Sequence, residues 1–388
     1  YHKNLFQLMH IAFFIFLYPH PKIINSGGLG TSIKNLVVAL VRQNVKVTVF
    51  VYGQPNQEVF EENGITFHFI PNQNFRFAKW YFYRKFIQNY INKIVVAEKI
   101  DLLEAPDWTG ITAFMKFQIP LVLRFHGSDT YFCHLEKRKQ KLKNYWFEKL
   151  ALQNAVAFIA PTKFAGQLSA KLFKINTQKV VTIHYGLELN QFKNDSPEKF
   201  ENGLLLYIGT IIRKKGVLEL PAIFQKVRKQ FPNAQLVLIG ADSYDIQTQS
   251  PSTWSLVENL IPIEDKTYVR FLGKIPYSEV EEYIKKAHVC LFPTFAETLG
   301  MVTIESMALQ KPVVNSNIGW ANELLIDGES GFLVHPTDHE LFAERILQLL
   351  ENDDLAKKIG QKAKERVAAT FDIDKKVLEN ISFYKSII

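Results

Sequence analysis

The sequence predicts an α/β protein of two doubly wound parallel-sheet domains in tandem. Three observations carry that reading. Short apolar runs rich in β-branched residues alternate with helix-spaced stretches along most of the chain. A polar stretch at 192–202, with Asn194, Asp195, Ser196 and Pro197, divides the series in two and fits a linker. The length of 388 residues suits two domains, and 47% hydrophobic with 22% charged residues is an ordinary globular balance.

The elements follow in order. Residues 10–17 read as a first buried strand. A helix at 31–43 follows, with Ile33, Leu36, Val37, Leu40 and Val41 at helical spacing, and the run 45–51 closes one βαβ unit. Further strand-like runs in the first half are 65–70, 102–104, 121–125, 157–159 and 180–184. A second series begins at 204–208. It continues through 235–239, 269–272, 289–292, 312–315 and 331–334, with helical stretches between. The order is a Rossmann-like domain, a linker and a second Rossmann-like domain. Sheets of this kind bind ligands beyond the carboxyl ends of their strands, so functional residues are expected just after strands.

Composition narrows the classes. Mean hydropathy is −0.04, and the longest apolar run, 11–18, falls far short of the ~18 residues a spanning helix needs. Two cysteines, Cys133 and Cys290, cannot build a disulfide framework and point to a reducing cytosol. Met9 offers a natural start, on which residues 1–8 would be a leader or a scar. Lys3 before an apolar stretch has the outline of a signal peptide, but Gln7 and His10 interrupt it and no small-residue cleavage site follows. Charge is uneven. Residues 1–200 hold 25 basic and 13 acidic side chains, a net of +12, whereas 201–388 carry a net of −4. A basic first half suits an anionic partner, although solvated surface lysine gives the same count.

Four motifs stand at strand ends. Ser26-Gly27-Gly28-Leu29-Gly30-Thr31 lies between the first strand and the first helix, where glycines let backbone amides approach an anion. It lacks the last glycine of the dinucleotide fingerprint and the Lys-Ser/Thr of a P-loop. Read alone, it is also a glycine-rich turn capped by Thr31 or Ser32. Gly209-Thr210-Ile211-Ile212-Arg213-Lys214-Lys215-Gly216 places three cations after a strand, as a diphosphate site or a solvated basic loop would. Arg124-Phe125-His126-Gly127-Ser128-Asp129 offers an imidazole, either as a donor in the cleft or as a structural histidine. Finally, Glu297 and Glu305 are separated by seven residues in the stretch 295–308. An ionised carboxylate only accepts hydrogen bonds, which suits sugar or ribose hydroxyls, although helix capping uses the same residue. Asp372-Ile373-Asp374 has a metal-binding spacing but opens the last helix, where capping is the simpler role. No zinc spacing, Gly-x-Ser-x-Gly elbow or nucleic-acid motif is present in the sequence.

Together these residues resemble the retaining glycosyltransferases of family 4, which have the two-domain GT-B fold. The resemblance covers nearly the whole chain and is strongest from Leu204 to Phe371. It rests on Glu297 and Glu305, Ser306-Met307-Ala308, Lys311-Pro312-Val313-Val314, Gly319-Trp320-Ala321-Asn322-Glu323 and Asp327-Gly328-Glu329-Ser330-Gly331-Phe332-Leu333-Val334. It implies an acceptor-side domain at 1–192 completed by a C-terminal helix at 372–388, a linker at 193–202 and a nucleotide-sugar domain at 203–371.

It also implies roles. Gly27 and Gly28 would offer amides to a donor diphosphate, and Lys215 would bind the same phosphates. Glu305 would hold ribose hydroxyls. Glu297 would hold the donor sugar, with the amides of Leu299, Gly300 and Met301 nearby. Ile275 would contact the base through its backbone, and His126 would face the sugar. His126, Glu297 and Lys215 are thus the catalytic candidates, without a metal or other cofactor. One position departs from the pattern: Thr210 stands where the family usually has arginine, and Arg213 is a candidate replacement.

The implied reaction moves a hexose-type sugar from a UDP- or GDP-type nucleotide sugar to an acceptor hydroxyl with retention. Stretches 76–94 and 137–149 interleave cations and aromatics, which suits an anionic membrane surface as well as a helix packed on the first sheet. The membrane reading implies a lipid-linked sugar or glycolipid acceptor, as in cell-surface polysaccharide or lipopolysaccharide assembly, and a cytoplasmic enzyme at the inner face. Alternatives are a sugar-nucleotide-binding regulator and an epimerase of the same fold; nucleic acid is not expected as a partner. Base, sugar, linkage and oligomeric state are not written in the motifs.

Overall fold

The computed structural model describes residues 9–23 and 28–388. The chain packs as two compact units, one running to Leu187 and taking in Ile373–Ile388, the other Glu188–Asp372.

The first unit carries an eight-stranded sheet. Its strands are β1 (His10–Ile15), β2 (Lys46–Gln54), β3 (Glu58–Glu62), β4 (Ile65–Pro71), β5 (Leu102–Pro106), β6 (Leu121–Arg124), β7 (Ala157–Ala160) and β8 (Val180–Thr182). They lie in the order β3-β4-β2-β1-β5-β6-β7-β8. Every pairing is parallel except β3 with β4. Helices cover both faces, so β1 is buried along all six residues and reads as a continuous apolar run rather than an alternating one. On one face, Phe13 and Val49 pack with Val37 and Leu40 of α1 (Gly28–Arg42). On the other, Phe14 and Phe50 pack with Ile87 and Ile91 of α2 (Lys79–Glu98). The remaining helices are α3 (Asp129–Leu135), α4 (Leu142–Gln153) and α5 (Lys163–Phe173).

The second unit carries β9 (Leu204–Ile208), β10 (Gln235–Ile239), β11 (Val269–Phe271), β12 (Val289–Phe292), β13 (Val313–Ser316) and β14 (Phe332–Val334). Their order is β11-β10-β9-β12-β13-β14, parallel throughout. Its helices are α6 (Leu220–Gln230), α7 (Thr253–Leu260), α8 (Tyr277–Lys286), α9 (Met301–Ala308), α10 (Ala321–Leu324), α11 (His339–Leu350) and α12 (Asp353–Thr370). The last helix, α13 (Ile373–Ile387), returns to the first unit, where Ile373, Val377 and Tyr384 enter the core beside α1.

In each sheet the strand order reverses at one place, between β1 and β5 and between β9 and β12. Loops diverge there, which opens a crevice at the strands' carboxyl ends.

Three expectations need correction. The charged run β3 was not anticipated; Glu58, Glu61 and Glu62 break the apolar pattern, as suits a sheet edge that must not recruit another strand. Helix α1 opens at Gly28, three residues before the expected start, so Thr31 and Ser32 lie inside it rather than ahead of it. The expected linker packs onto the second unit: Asn194 Nδ2 donates to Leu309 O at 2.9 Å, and Glu201 N donates to Lys286 O at 2.8 Å.

Candidate functional site

In the second unit the loops after β9 and β12 meet at the switch point. The turn Arg213–Lys215 ends in Gly216, whose φ of 71° is left-handed. A Cβ there would stand 1.7 Å from Pro293 O, so only glycine lets the two loops come this close. Lys214 O accepts from Phe295 N at 2.8 Å and from Ala296 N at 3.2 Å, which stitches the loops together. As a result Lys215 Nζ pairs directly with Glu297. Thr298 N donates to the other oxygen of that carboxylate at 2.9 Å. Burial alone would raise the Glu297 pKa, but the adjacent Lys215 charge holds it below the usual range. A cavity lined by Lys215, Glu297, Gly300, Tyr207 and Trp320 lies beside the pair.

Helix α9 begins directly after this loop. Gly300 precedes it with φ 101°, and its first amides, from Met301 onward, have no carbonyl partner one turn back. One and a half turns in, Glu305 is 8% exposed, and Tyr277 at the start of α8 donates its hydroxyl to it. Burial pushes the Glu305 carboxyl up to about 7, against the pull of that hydroxyl. Ile275 sits two residues before Tyr277, between β11 and α8.

Arg213, the candidate replacement for the missing arginine, is committed elsewhere. Its Nε and Nη2 each reach an oxygen of Asp245 at 2.8 Å. Thr248 also donates to that carboxylate, and with Arg213 it holds Asp245 well below the usual carboxylate range. Thr210 contributes a carbonyl, which accepts from the buried Tyr207 hydroxyl at 3.0 Å.

In the first unit His126 follows β6. Its backbone N–H donates to Asp107 Oδ1 at 2.8 Å, and its Nδ1 lies 2.7 Å from the Tyr185 hydroxyl. Burial, with the Arg124 charge nearby, pushes the imidazole down to about 3, so it is neutral at ordinary pH. Asp107, fully enclosed, is pushed up to about 7. Arg124 makes a bidentate pair with Glu104, at 2.7 and 3.0 Å, and donates to Asn380 of α13 at 2.6 Å. The next residues of that motif organise α3: Ser128 caps it by accepting from Tyr131 N, and Asp129 is held by Arg138 and Asn144, each at 3.0 Å.

The structure therefore brings Lys215, Glu297 and Gly300 together, with Leu299 and Met301 adjoining and Glu305 in the same helix. Gly28 opens α1, while Gly27 lies outside the described residues. Asp374 stands in the first turn of α13, 3.3 Å from Arg42 Nη2. The motifs did not point to Tyr277, Tyr185, Asp107 or Asp245, the partners of Glu305, His126 and Arg213. Only Asp107 carried a signal, its place at a strand end in Pro106-Asp107-Trp108.

Residues 26–191 match the family model Glycosyltransferase Family 4, and residues 189–366 match Glycosyl transferases group 1. An uncharacterized glycosyltransferase of Methanocaldococcus jannaschii is 26% identical over 348 residues, covering 87% of this chain and 89% of its own. The capsular polysaccharide biosynthesis glycosyltransferase CapM of Staphylococcus aureus is 27% identical over 248 residues, 58% of this chain and 60% of that one. Among solved structures, sucrose-phosphate synthase from Thermosynechococcus elongatus has a TM-score of 0.80 at 22% identity, covering 97% of this chain and 98% of its own. Anabaena HepE, in complex with UDP and glucose, has a TM-score of 0.74 at 18% identity, covering 96% and 99%. These likenesses show a common fold. The two family models run in succession from residue 26 to residue 366, and the chain is a glycosyltransferase of the GT-B type, a family 4 domain followed by a group 1 domain.

Proposed function

We propose that this glycosyltransferase moves a hexose-type sugar from a nucleotide diphosphate to an acceptor hydroxyl with retention of anomeric configuration. The observation that carries the reading is the Lys215–Glu297 pair at the switch point of the second sheet. A lysine and a carboxylate that neutralise each other are poised to exchange that partnership for a diphosphate and a sugar. As the nucleoside diphosphate leaves, negative charge grows on its oxygens, and Lys215 with the first amides of α9 opposes it. Glu297 accepts sugar hydroxyls, Glu305 accepts ribose hydroxyls, and the backbone at Ile275 meets the base. Gly27 and Gly28 offer amides to the diphosphate, and His126 faces the sugar. HepE has been crystallised with UDP-glucose, which favours a UDP-type donor, with GDP-type as the competitor. The reaction on this reading uses no metal.

The acceptor is a lipid-linked sugar or glycolipid, and the enzyme works peripherally on the cytoplasmic face of a membrane. The part of CapM in capsular polysaccharide biosynthesis supports surface polysaccharide assembly. At the start of α2 and α4, Phe77, Trp80, Phe82, Leu142 and Trp146 are exposed among lysines, and Trp80 touches Phe147, which joins the two helices into one patch.

A thermal-shift panel of nucleotide sugars tests donor binding, since a ligand of the folded state raises its stability. One UDP- or GDP-sugar should raise Tm, and proton NMR of the product should show the donor's anomeric configuration. Activity should survive excess EDTA. An inverted product, or activity lost to EDTA and restored by Mg²⁺ or Mn²⁺, would overturn the mechanism. Tight donor binding without hydrolysis or transfer would favour the regulator, a reading that Thr210 and the commitment of Arg213 to Asp245 keep open.

A further inference from the structure

We infer that Tyr185 is a positioning residue for His126: its hydroxyl donates to Nδ1, which leaves the imidazole proton on Nε2 as a hydrogen-bond donor for a carbohydrate hydroxyl.

Nδ1 of His126 lies 2.7 Å from the phenol oxygen, and the Phe125 carbonyl lies 3.4 Å from it. The first is a full-strength O–H···N distance and the second is at the limit of a hydrogen bond. The phenol proton therefore goes to Nδ1. A neutral imidazole has one N–H, so occupying the Nδ1 lone pair sends the proton to Nε2. The imidazole is neutral, as its burial requires. Nε2 is itself buried and has no hydrogen-bond partner among the described residues. A buried polar atom left unpaired is costly, and a hydroxyl brought to it by a ligand would relieve the cost. His126 also lines a cavity with Tyr185, His184, Arg124 and Lys376.

Tyr185 is held firmly enough to do this. The rings stack at 12° with centroids 5.5 Å apart. On one side, the ring of His184 contacts Pro161 O at 2.7 Å through Nδ1. On the other, Gly186 packs so tightly on α13 that a Cβ would stand 2.5 Å from Ile373, and Leu187 O accepts from Ile373 N at 3.1 Å. The residue between these two anchors has little freedom to turn away.

The catalytic part of this inference rests on the sugar-transfer reading, but the tautomer does not. ¹⁵N-histidine NMR reads the tautomer in the ligand-free enzyme, with the His126 signals assigned by their loss in His126→Gln. The parent should show an unprotonated Nδ1 and a protonated Nε2. Tyr185→Phe keeps the stacked ring, so Tm should hold while the signals move to a mixture of tautomers. Its kcat should fall about tenfold with donor KM unchanged, because a correctly bound sugar loses an aligned donor. A parent with Nδ1–H, or a Tyr185→Phe spectrum identical to the parent's, would overturn the inference. So would a shifted tautomer with parental kcat. If the parent transfers no sugar while the tautomer behaves as stated, it is the transfer reading that fails.

Discussion

Glu305 shows how one buried carboxyl ties stability to ligand binding. Its pKa stands near 7 in the folded chain against an ordinary 4.5. The folded state therefore binds this proton more tightly than the unfolded state. As pH rises from about 4.5 to about 7 the unfolded chain ionises first, and stability falls over that window. Glu305→Gln should flatten this part of the stability–pH curve and be the more stable protein above pH 7, by chemical denaturation. On the proposed donor reading, ribose hydroxyls bond the ionised carboxylate more strongly than the neutral acid, which keeps only part of its acceptor capacity. Nucleotide affinity of the parent should then rise towards pH 7, by at most about tenfold per unit, and level off above it. Glu305→Ala should lose roughly 1.5–3 kcal/mol of that affinity at pH 8. Calorimetric titration at pH 6, 7 and 8 checks both, and an affinity indifferent to pH would sink the ribose role. The glutamates themselves were legible because their spacing is fixed by a loop and the helix after it. Their partners were not. Tyr277 and Asp245 are distant in sequence, and tertiary contacts of that kind leave no periodicity to read.

The elements were legible wherever burial on both faces wrote a continuous apolar run, as in β1 and β9, and poorly legible at the rim, as in β3. Helix α13 is a different case. Its sequence says helix, but its destination is set by a buried network. Arg124 of β6 bonds both Glu104 of β5 and Asn380 of α13, and the Tyr384 hydroxyl donates to Glu104 Oε2 at 2.6 Å. Every member is satisfied by another, so removing one strands the rest. Tyr384→Phe should cost roughly 1–3 kcal/mol, the penalty for an under-satisfied buried carboxylate. Arg124→Met should cost roughly 3–5 kcal/mol, since it leaves a buried charge unpaired. Urea denaturation measures both, and equal costs would show that the charge pair matters no more than the phenol.

Over the molecule as a whole, the charge asymmetry was plain from the sequence, but the structure decides which cations are available to a partner. Arg84 is half-buried and spends its guanidinium on the carbonyls of Trp80, Gly110 and Ile111, and Lys85 bonds Phe114 O. Lys79, Lys139, Lys141 and Lys143 are exposed. Each lysine near an anionic surface contributes about 1 kcal/mol, within a Debye length of ~8 Å at physiological salt. Replacing these four by Glu should abolish co-sedimentation with phosphatidylserine vesicles that the parent shows at low salt and loses at high salt. Among the described residues no helix is long and apolar enough to cross a membrane. Equal binding to neutral and acidic vesicles, or none to either, would point to an acceptor that is not membrane-borne.

The return of α13 to the first unit also sets an order of events during synthesis. The second unit is one continuous stretch, Glu188–Asp372, and every strand of its sheet is translated before α13. The first unit begins earlier but must wait, with the Arg124–Glu104 pair short of Asn380 and Tyr384, until the whole of the second has been made. The domain that starts first therefore finishes last, against the usual amino-terminal-first sequence. A ribosome that stalls or terminates near residue 372 would release a chain whose second unit is complete and whose first unit still exposes the apolar groove meant for Ile373, Val377 and Tyr384. Nascent-chain proteolysis at successive lengths should show the second unit becoming resistant before the first.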